Sequence, residues 1–267
     1  MPTPSVPETI PFSVYDGGAI VVPISIAGAG PYRFVLDTGS TRSAVTARLA
    51  RLLRSPMVAQ TALVTPAGRS TRDVTLVQGL EVGRTQPVSV AAMVVSDDAL
   101  PRAGRVDGLL GQDVLAGQTF TIDYRRRELV WHDGGTAHVR GHRLPLTAAN
   151  GLQFVSLSSL PGASGPARLV ADSGADTIVL FGGDAGAMPS ATPMGTGVLR
   201  TSAGIQLGRR VSIAELDIGG LLLRDQSALL LTEREATGLL GDGLLPLHLF
   251  ARVTFDAAAR ALIVAAR

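Results

Sequence analysis

The 267-residue chain contains no cysteine and no lysine. Without cysteine there are no disulfides and no thiol nucleophile, a composition that suits an intracellular protein or a bacterial periplasmic one, the periplasm being favoured if a leader has been removed. Without lysine, all 24 basic residues are arginine, and they are scattered apart from Arg125-Arg126-Arg127. With a formal net charge of +2, the chain offers no electrostatic footprint for nucleic acid. Aromatic residues are scarce, 4% with one tryptophan, which argues against the ring platforms of an all-β carbohydrate binder. No apolar run approaches the roughly 20 residues that cross a bilayer, so no membrane span is expected. The N-terminus, Met1-Pro2-Thr3-Pro4-Ser5-Val6-Pro7, lacks the basic and apolar regions of a signal peptide.

What is present is a hydrophobic fraction of 46% against 17% charged, enough for a sizeable core. The chain is also written twice. Phe34-Val35-Leu36-Asp37-Thr38-Gly39-Ser40 recurs as Leu169-Val170-Ala171-Asp172-Ser173-Gly174-Ala175, 135 residues on. Thr65-Pro66-Ala67-Gly68 recurs as Thr201-Ser202-Ala203-Gly204, and Leu80-Glu81-Val82-Gly83 as Leu216-Asp217-Ile218-Gly219, both at 136. Asp107-Gly108-Leu109-Leu110-Gly111 is matched to Thr237-Gly238-Leu239-Leu240-Gly241 at 130, and Thr121-Ile122-Asp123 to Thr254-Phe255-Asp256 at 133. Matches in one order at nearly one offset imply two homologous lobes, 1–135 and 136–267, joined where His132-Asp133-Gly134-Gly135-Thr136 interrupts the strand pattern.

Short β-branched or apolar runs bounded by Gly, Pro and Asp, such as Ala19–Ile26 and Ala91–Val95, predict a mainly β chain. Gly28-Ala29-Gly30-Pro31 reads as a hairpin turn, not a phosphate cradle, because no helix pattern follows it. Helical spacing is clear only over Thr46–Leu53, opened by Thr46 as cap, and is weak after each Leu-Leu-Gly.

An apolar strand ending in Asp, a small hydroxyl residue and Gly sets a carboxylate on a tight turn. One copy would be an ordinary turn cap. Two copies at equivalent points of a repeat would bring Asp37 and Asp172 face to face on a pseudo-two-fold axis. Carboxyls about 3 Å apart cannot both ionise comfortably and share one proton, which puts an acid and a base in one place.

These residues resemble the aspartic peptidases, and among them the retropepsin-like peptidases in the fused two-lobe form found in bacteria. The resemblance runs from about Phe12 to Ala265 and rests on both Asp motifs and both apolar-apolar-Gly motifs. It implies an acid-protease fold, all-β with short helices, and an endopeptidase that uses a water activated by Asp37 and Asp172. It also implies that Leu109-Leu110-Gly111 and Leu239-Leu240-Gly241 pass behind the catalytic loops. Thr38 and Ser173 would send their hydroxyls to the other lobe's loop, while Gly39 and Gly174 offer N–H groups to the carboxylates. Asp176 would contact the substrate backbone, its first-lobe counterpart being Thr41. Gly68 and Gly204 fall where the family has flaps. Neither flap has Tyr, which places the chain closer to retropepsins than to pepsin.

The expected partner is a peptide or protein substrate held in an apolar cleft. One chain supplies both loops, so a monomer suffices, and no cofactor or metal is expected. His132, His138 and His142 fit no zinc spacing. Ser40 stands within reach of Asp37, whereas Ala175 has no side-chain donor. On that ground Asp37 is expected to be the ionised member and Asp172 the proton carrier. The alternative function is a catalytically inactive peptide-binding module on the same fold.

Overall fold

The structure, a computed structural model, describes residues 7–15, 18–100, 106–132, 139–157, 166–182, 191–201, 204–231 and 237–267. Three sheets carry the fold. The first lobe is an eight-stranded sheet ordered Ser13–Val14, Ile20–Ile26, Ala29–Leu36, Gly108–Leu110, Ala44–Thr46, Val88–Val95, Gly68–Val82, Met57–Thr65. The second repeats that order with Thr147–Ala149, Leu152–Leu157, Ala167–Asp172, Gly243–Pro246, Ile178–Phe181, Leu221–Leu231, Gly204–Ile218, Ala191–Thr201. Beneath both lies a six-stranded antiparallel sheet with Glu8–Pro11, Glu128–His132 and Thr119–Asp123 from the first half, then Arg252–Asp256, Ala261–Ala265 and His142–Pro145 from the second.

At the centre of that base sheet Thr121 pairs with Thr254, its own repeat counterpart, and their hydroxyls lie 2.8 Å apart. On the opposite face Phe120 stacks on Trp131 at 5.6 Å and on Phe255 at 4.8 Å between ring centres. Alternation along the strands thus gives one polar and one aromatic face, and the aromatic one joins the main core. The junction proposed at residues 135 and 136 lies outside the described residues.

The repeat is more regular than the sequence matches suggested, and one of them is corrected. In the first lobe Phe34, Val35 and Leu36 run parallel to Gly108, Leu109 and Leu110. In the second, Leu169, Val170 and Ala171 run parallel to Gly243, Leu244 and Leu245. The counterpart of Asp107-Gly108-Leu109-Leu110 is therefore Asp242-Gly243-Leu244-Leu245, the same four residues 135 further on. Leu239-Leu240-Gly241 instead forms the end of the short helix Thr237–Leu240 and the turn after it. Asp107 and Asp242 do the same work: each carboxylate accepts the N–H of an arginine on the strand that leads to Asp37 or Asp172, Arg33 or Arg168, both at 2.9 Å. The expected helical turns follow this corrected motif, at Gln112–Leu115 and at the 3-10 turn Leu247–Leu249.

Other local expectations fall close to the observed elements. The helix runs Ala47–Leu52, with Thr46 Oγ1 accepting the Leu49 N–H at 3.2 Å. The first hairpin turns at Ala27 and Gly28, both at positive φ (49° and 75°), while Gly30 and Pro31 already belong to the next strand. That pair of left-handed residues matches the twist of the strands it joins.

Candidate active site

Each Asp-hydroxyl-Gly loop leaves the end of an apolar strand at the lobe junction, and the two loops lock together. Thr38 Oγ1 donates to the Ala171 carbonyl at 2.7 Å and accepts the Ser173 N–H at 3.0 Å. Ser173 Oγ donates to the Leu36 carbonyl at 2.7 Å and accepts the Thr38 N–H at 3.0 Å. Thr38 and Ser173 are almost wholly buried, so removing either hydroxyl would strand partners that water cannot reach. In the first lobe Gln112 Nε2 also donates to the Thr38 carbonyl at 2.8 Å; its counterpart 135 residues on is the apolar Leu247.

The lock brings the carboxyls of Asp37 and Asp172 into mutual hydrogen-bond contact. Gly39 and Gly174 are required by how closely the loops approach. A Cβ on Gly39 would overlap the Asp172 carboxyl, and one on Gly174 would stand 2.8 Å from Asp37 Oδ1. Gly39 N–H donates to Asp37 Oδ1 at 3.0 Å, and Gly174 N–H to Asp172 Oδ1 at 2.8 Å. Asp172 has a second backbone donor, Ala175 N–H, at 3.1 Å.

The side-chain contact from which the Ser40 asymmetry was expected is not made. The Ser40 hydroxyl does not reach Asp37; it donates to the Arg42 carbonyl at 2.8 Å. Burial, and secondarily the charge of Asp172, push Asp37 well above the usual carboxylate range. Burial also pushes Asp172 up, to about 6; backbone donors oppose the shift in both, Gly39 and Ser40 at Asp37, Gly174 and Ala175 at Asp172.

Two long hairpins stand at equivalent places in the repeat. Met57–Thr65 pairs with Gly68–Val82 and Ala191–Thr201 with Gly204–Ile218. Gly68 and Gly204 follow the tips with φ of 135° and 155°, a conformation that favours glycine. The hairpins meet: Thr65 Oγ1 and Thr201 Oγ1 are 3.0 Å apart. Asp176 is exposed just beyond the second loop, and Thr41 is exposed at the matching place in the first.

Sequence reasoning missed two residues near the loops, neither carried by a motif. His248 donates to the Ala175 carbonyl, and its imidazole is lowered by burial and then by Arg267. Tyr124 lies edge-on to Phe12, with ring centres 6.3 Å apart; burial and then the Asp172 charge push its hydroxyl up. Of the three histidines weighed as metal ligands, His132 Nε2 meets Thr121 Oγ1 and His142 Nε2 meets the Gly219 carbonyl, both at 3.0 Å, while His138 lies outside the described residues. Among the described residues no cluster of His, Cys, Asp or Glu could hold a metal.

Residues 22–114, which span the Asp37 loop, match the sequence profile of a family described as Aspartyl protease. The whole chain is similar in fold to a crystal structure of an aspartic proteinase from Irpex lacteus, with a TM-score of 0.60 at 15% identity, over 98% of this chain and 97% of that one. The fold is that of the aspartic proteinases, and the stretch around the Asp37 loop is similar in sequence to that family. No curated protein matches the sequence. Within the aspartic peptidase frame both lobes are present, although the family profile matches residues of the first alone. The likeness of the second lobe rests on the fold and on the internal repeat. No helix among the described residues is long and apolar enough to cross a membrane.

Proposed function

We propose that the chain is an aspartic endopeptidase whose cleft lies between lobes 1–135 and 136–267, with Asp37 and Asp172 as the catalytic pair. The observation that carries this reading is the facing pair of carboxyls, each close against the other lobe's loop glycine and each raised above the usual carboxylate range by burial. Between the two titrations of such a pair it holds a single proton. Asp172 takes a proton from the attacking water as its oxygen bonds to the peptide carbonyl carbon, and Asp37 gives its proton to the carbonyl oxygen. As the resulting diol collapses, the amine nitrogen leaves with the proton that Asp172 gained, and a diol hydroxyl returns one to Asp37. The cycle closes without metal, cofactor or covalent intermediate, within one chain. Thr38 and Ser173 hold the loops in register, and Asp176, Gly68 and Gly204 border the peptide.

The test is hydrolysis of a peptide library by wild type, Asp37→Asn and Asp172→Asn. Each single change removes half of a mutually dependent pair, and turnover is expected to fall by a factor on the order of a thousand or more. Either variant retaining more than about a tenth of wild-type turnover would sink the assignment. A wild-type protein that binds peptides without cleaving them would instead be a binding module.

A further inference from the structure

A cavity of about 190 Å³ lies where the two halves meet, with Phe120 and Phe255 of the base sheet in its wall. Gln112 also lines it, and its amide nitrogen donates to the Thr38 carbonyl, so the cavity adjoins the Asp37 loop from the side of that sheet. The repeat shows what the equivalent place in the other half contains. Asp123 and Asp256 follow the paired Thr121 and Thr254, and the turns they open end in Arg127 and Arg260, both at positive φ (58° and 47°). Ala257, in the cavity wall, is therefore the counterpart of Tyr124. Phe12 N–H donates to the Arg127 carbonyl and Leu146 N–H to the Arg260 carbonyl, both at 2.9 Å, which makes Leu146 the counterpart of Phe12. Val21 pairs with Val35 and Phe154 with Val170, so Gln153 stands where the first half has Ile20. Gln112 and Leu115 correspond to Leu247 and Phe250, each 135 residues on.

In one half, then, Tyr124 lies edge-on to Phe12 and packs on the main core. Around the cavity the three rings are replaced by Ala257, Leu146 and Leu115, and the aliphatic Ile20 and Leu247 by the amides Gln153 and Gln112. Truncation alone would leave a packing gap, and a gap in a core is cheapest when its walls are apolar. Two amides in the wall set hydrogen-bonding groups beside a ring-sized space instead. A cavity of about 150 Å³ with apolar walls admits benzene, and this one is larger. We propose that it is a binding site for a small phenol, a free ring and hydroxyl occupying the place that Tyr124 fills in the other half. The ring lies against Phe120 and Phe255. Its hydroxyl bonds the Gln153 amide, which both donates and accepts, since the amide nitrogen of Gln112 is engaged with Thr38. The site is separate from the peptide cleft and does not depend on the peptidase reading.

The experiment titrates phenol, and separately benzene, into the full chain and follows the NMR signals of the Gln112 side-chain amide and the Ala257 backbone amide. In wild type both signals should shift and saturate, with a Kd for phenol of about 1 mM, within reach of so small a ligand. Benzene should bind about fivefold more weakly, the loss of one hydrogen bond. Ala257→Tyr, which rebuilds the ring of the other half, should fill the space and weaken phenol about tenfold or more. Gln153→Leu should keep the space and bind phenol and benzene alike. The proposal is overturned if phenol fails to saturate by about 20 mM, if Ala257→Tyr binds it as tightly as wild type, or if benzene equals phenol in wild type. A preference for phenol that survives Gln153→Leu overturns it too, as do shifts confined to the flap hairpins, which would place the phenol in the cleft. Should Ala257→Tyr fail to fold, Leu146→Phe, which restores the neighbouring ring, gives the same comparison.

Discussion

Ser40 and Ala175 stand at the same position, three residues after each aspartate, and differ in side chain but not in what their backbones offer. The hydroxyl of Ser40 is spent on Arg42, while the backbone N–H groups of Ser40 and Ala175 reach Asp37 and Asp172. A side-chain inventory read from sequence sees the first donor and not the second, because a backbone N–H is common to every residue but proline and only loop geometry aims it. Ser40→Ala is accordingly expected to leave both limbs of the kcat/KM profile in place; movement of the acidic limb by half a pH unit or more would restore Ser40 as a tuning group. The raised carboxyls also bear on stability. Asp172 titrates near 6 in the fold and near 3.9 in an unfolded chain, so the fold binds its proton more tightly. That stabilisation is complete below about pH 4 and is lost as pH rises through 6. Asp172→Asn, neutral at every pH, should therefore be more stable than wild type at pH 7, with the gap closing toward pH 4 in urea titrations. An Asn variant less stable than wild type at pH 7 would show that burying this charge costs the fold nothing.

The strands behind the Asp37 and Asp172 loops are held at a spacing that only glycine allows. A Cβ on Gly108 would stand 2.6 Å from the Ala44 carbonyl oxygen, and one on Gly243 would overlap the Val179 carbonyl, the same atom one repeat later. Gly108→Ala and Gly243→Ala should each destabilise the chain by about 2 kcal/mol or more through forced strand displacement. A loss under about 0.5 kcal/mol in denaturant midpoints would mean that the strands give way easily. At this scale the sequence was only half legible. Both Asp loops and the Thr46-capped helix were visible, because each depends on local chemistry. The Asp242-Gly243-Leu244-Leu245 strand was passed over for Leu239-Leu240-Gly241, five residues earlier. Both are Leu-Leu segments beside glycine, and composition cannot choose between them; pairing with Ala167–Asp172 does. The flap strand Gly68–Val82 was hidden for another reason: its outer face carries Arg69, Thr71 and Asp73, which interrupt the apolar pattern of a strand.

For the whole molecule, the base sheet joins three strands of each half edge to edge, so neither half can lose its strands without exposing the other's. Calorimetry is expected to show one cooperative transition, and two resolved transitions would count against that coupling. Specific activity should also be constant over a wide dilution range and unchanged by chelator, since both loops belong to one chain; a second-order loss on dilution would place a second copy in the site. The geometry has one more consequence. A residue can touch its own repeat counterpart only on the axis that relates the halves, and among the described residues three such contacts occur besides that of Asp37 with Asp172: Thr65 with Thr201, Thr38 with Ser173, and Thr121 with Thr254. They run from the flap tips past the carboxyl pair to the base sheet, like pins along an axle. A rotation displaces an atom in proportion to its distance from the axis, so twisting one half against the other leaves all three contacts almost unstretched. Prising the halves apart breaks them in order from the tips inward. Torsion is thus expected to be the softer motion of this molecule and parting the stiffer one, with Asp37 and Asp172, close to the axle, keeping their distance as the halves turn.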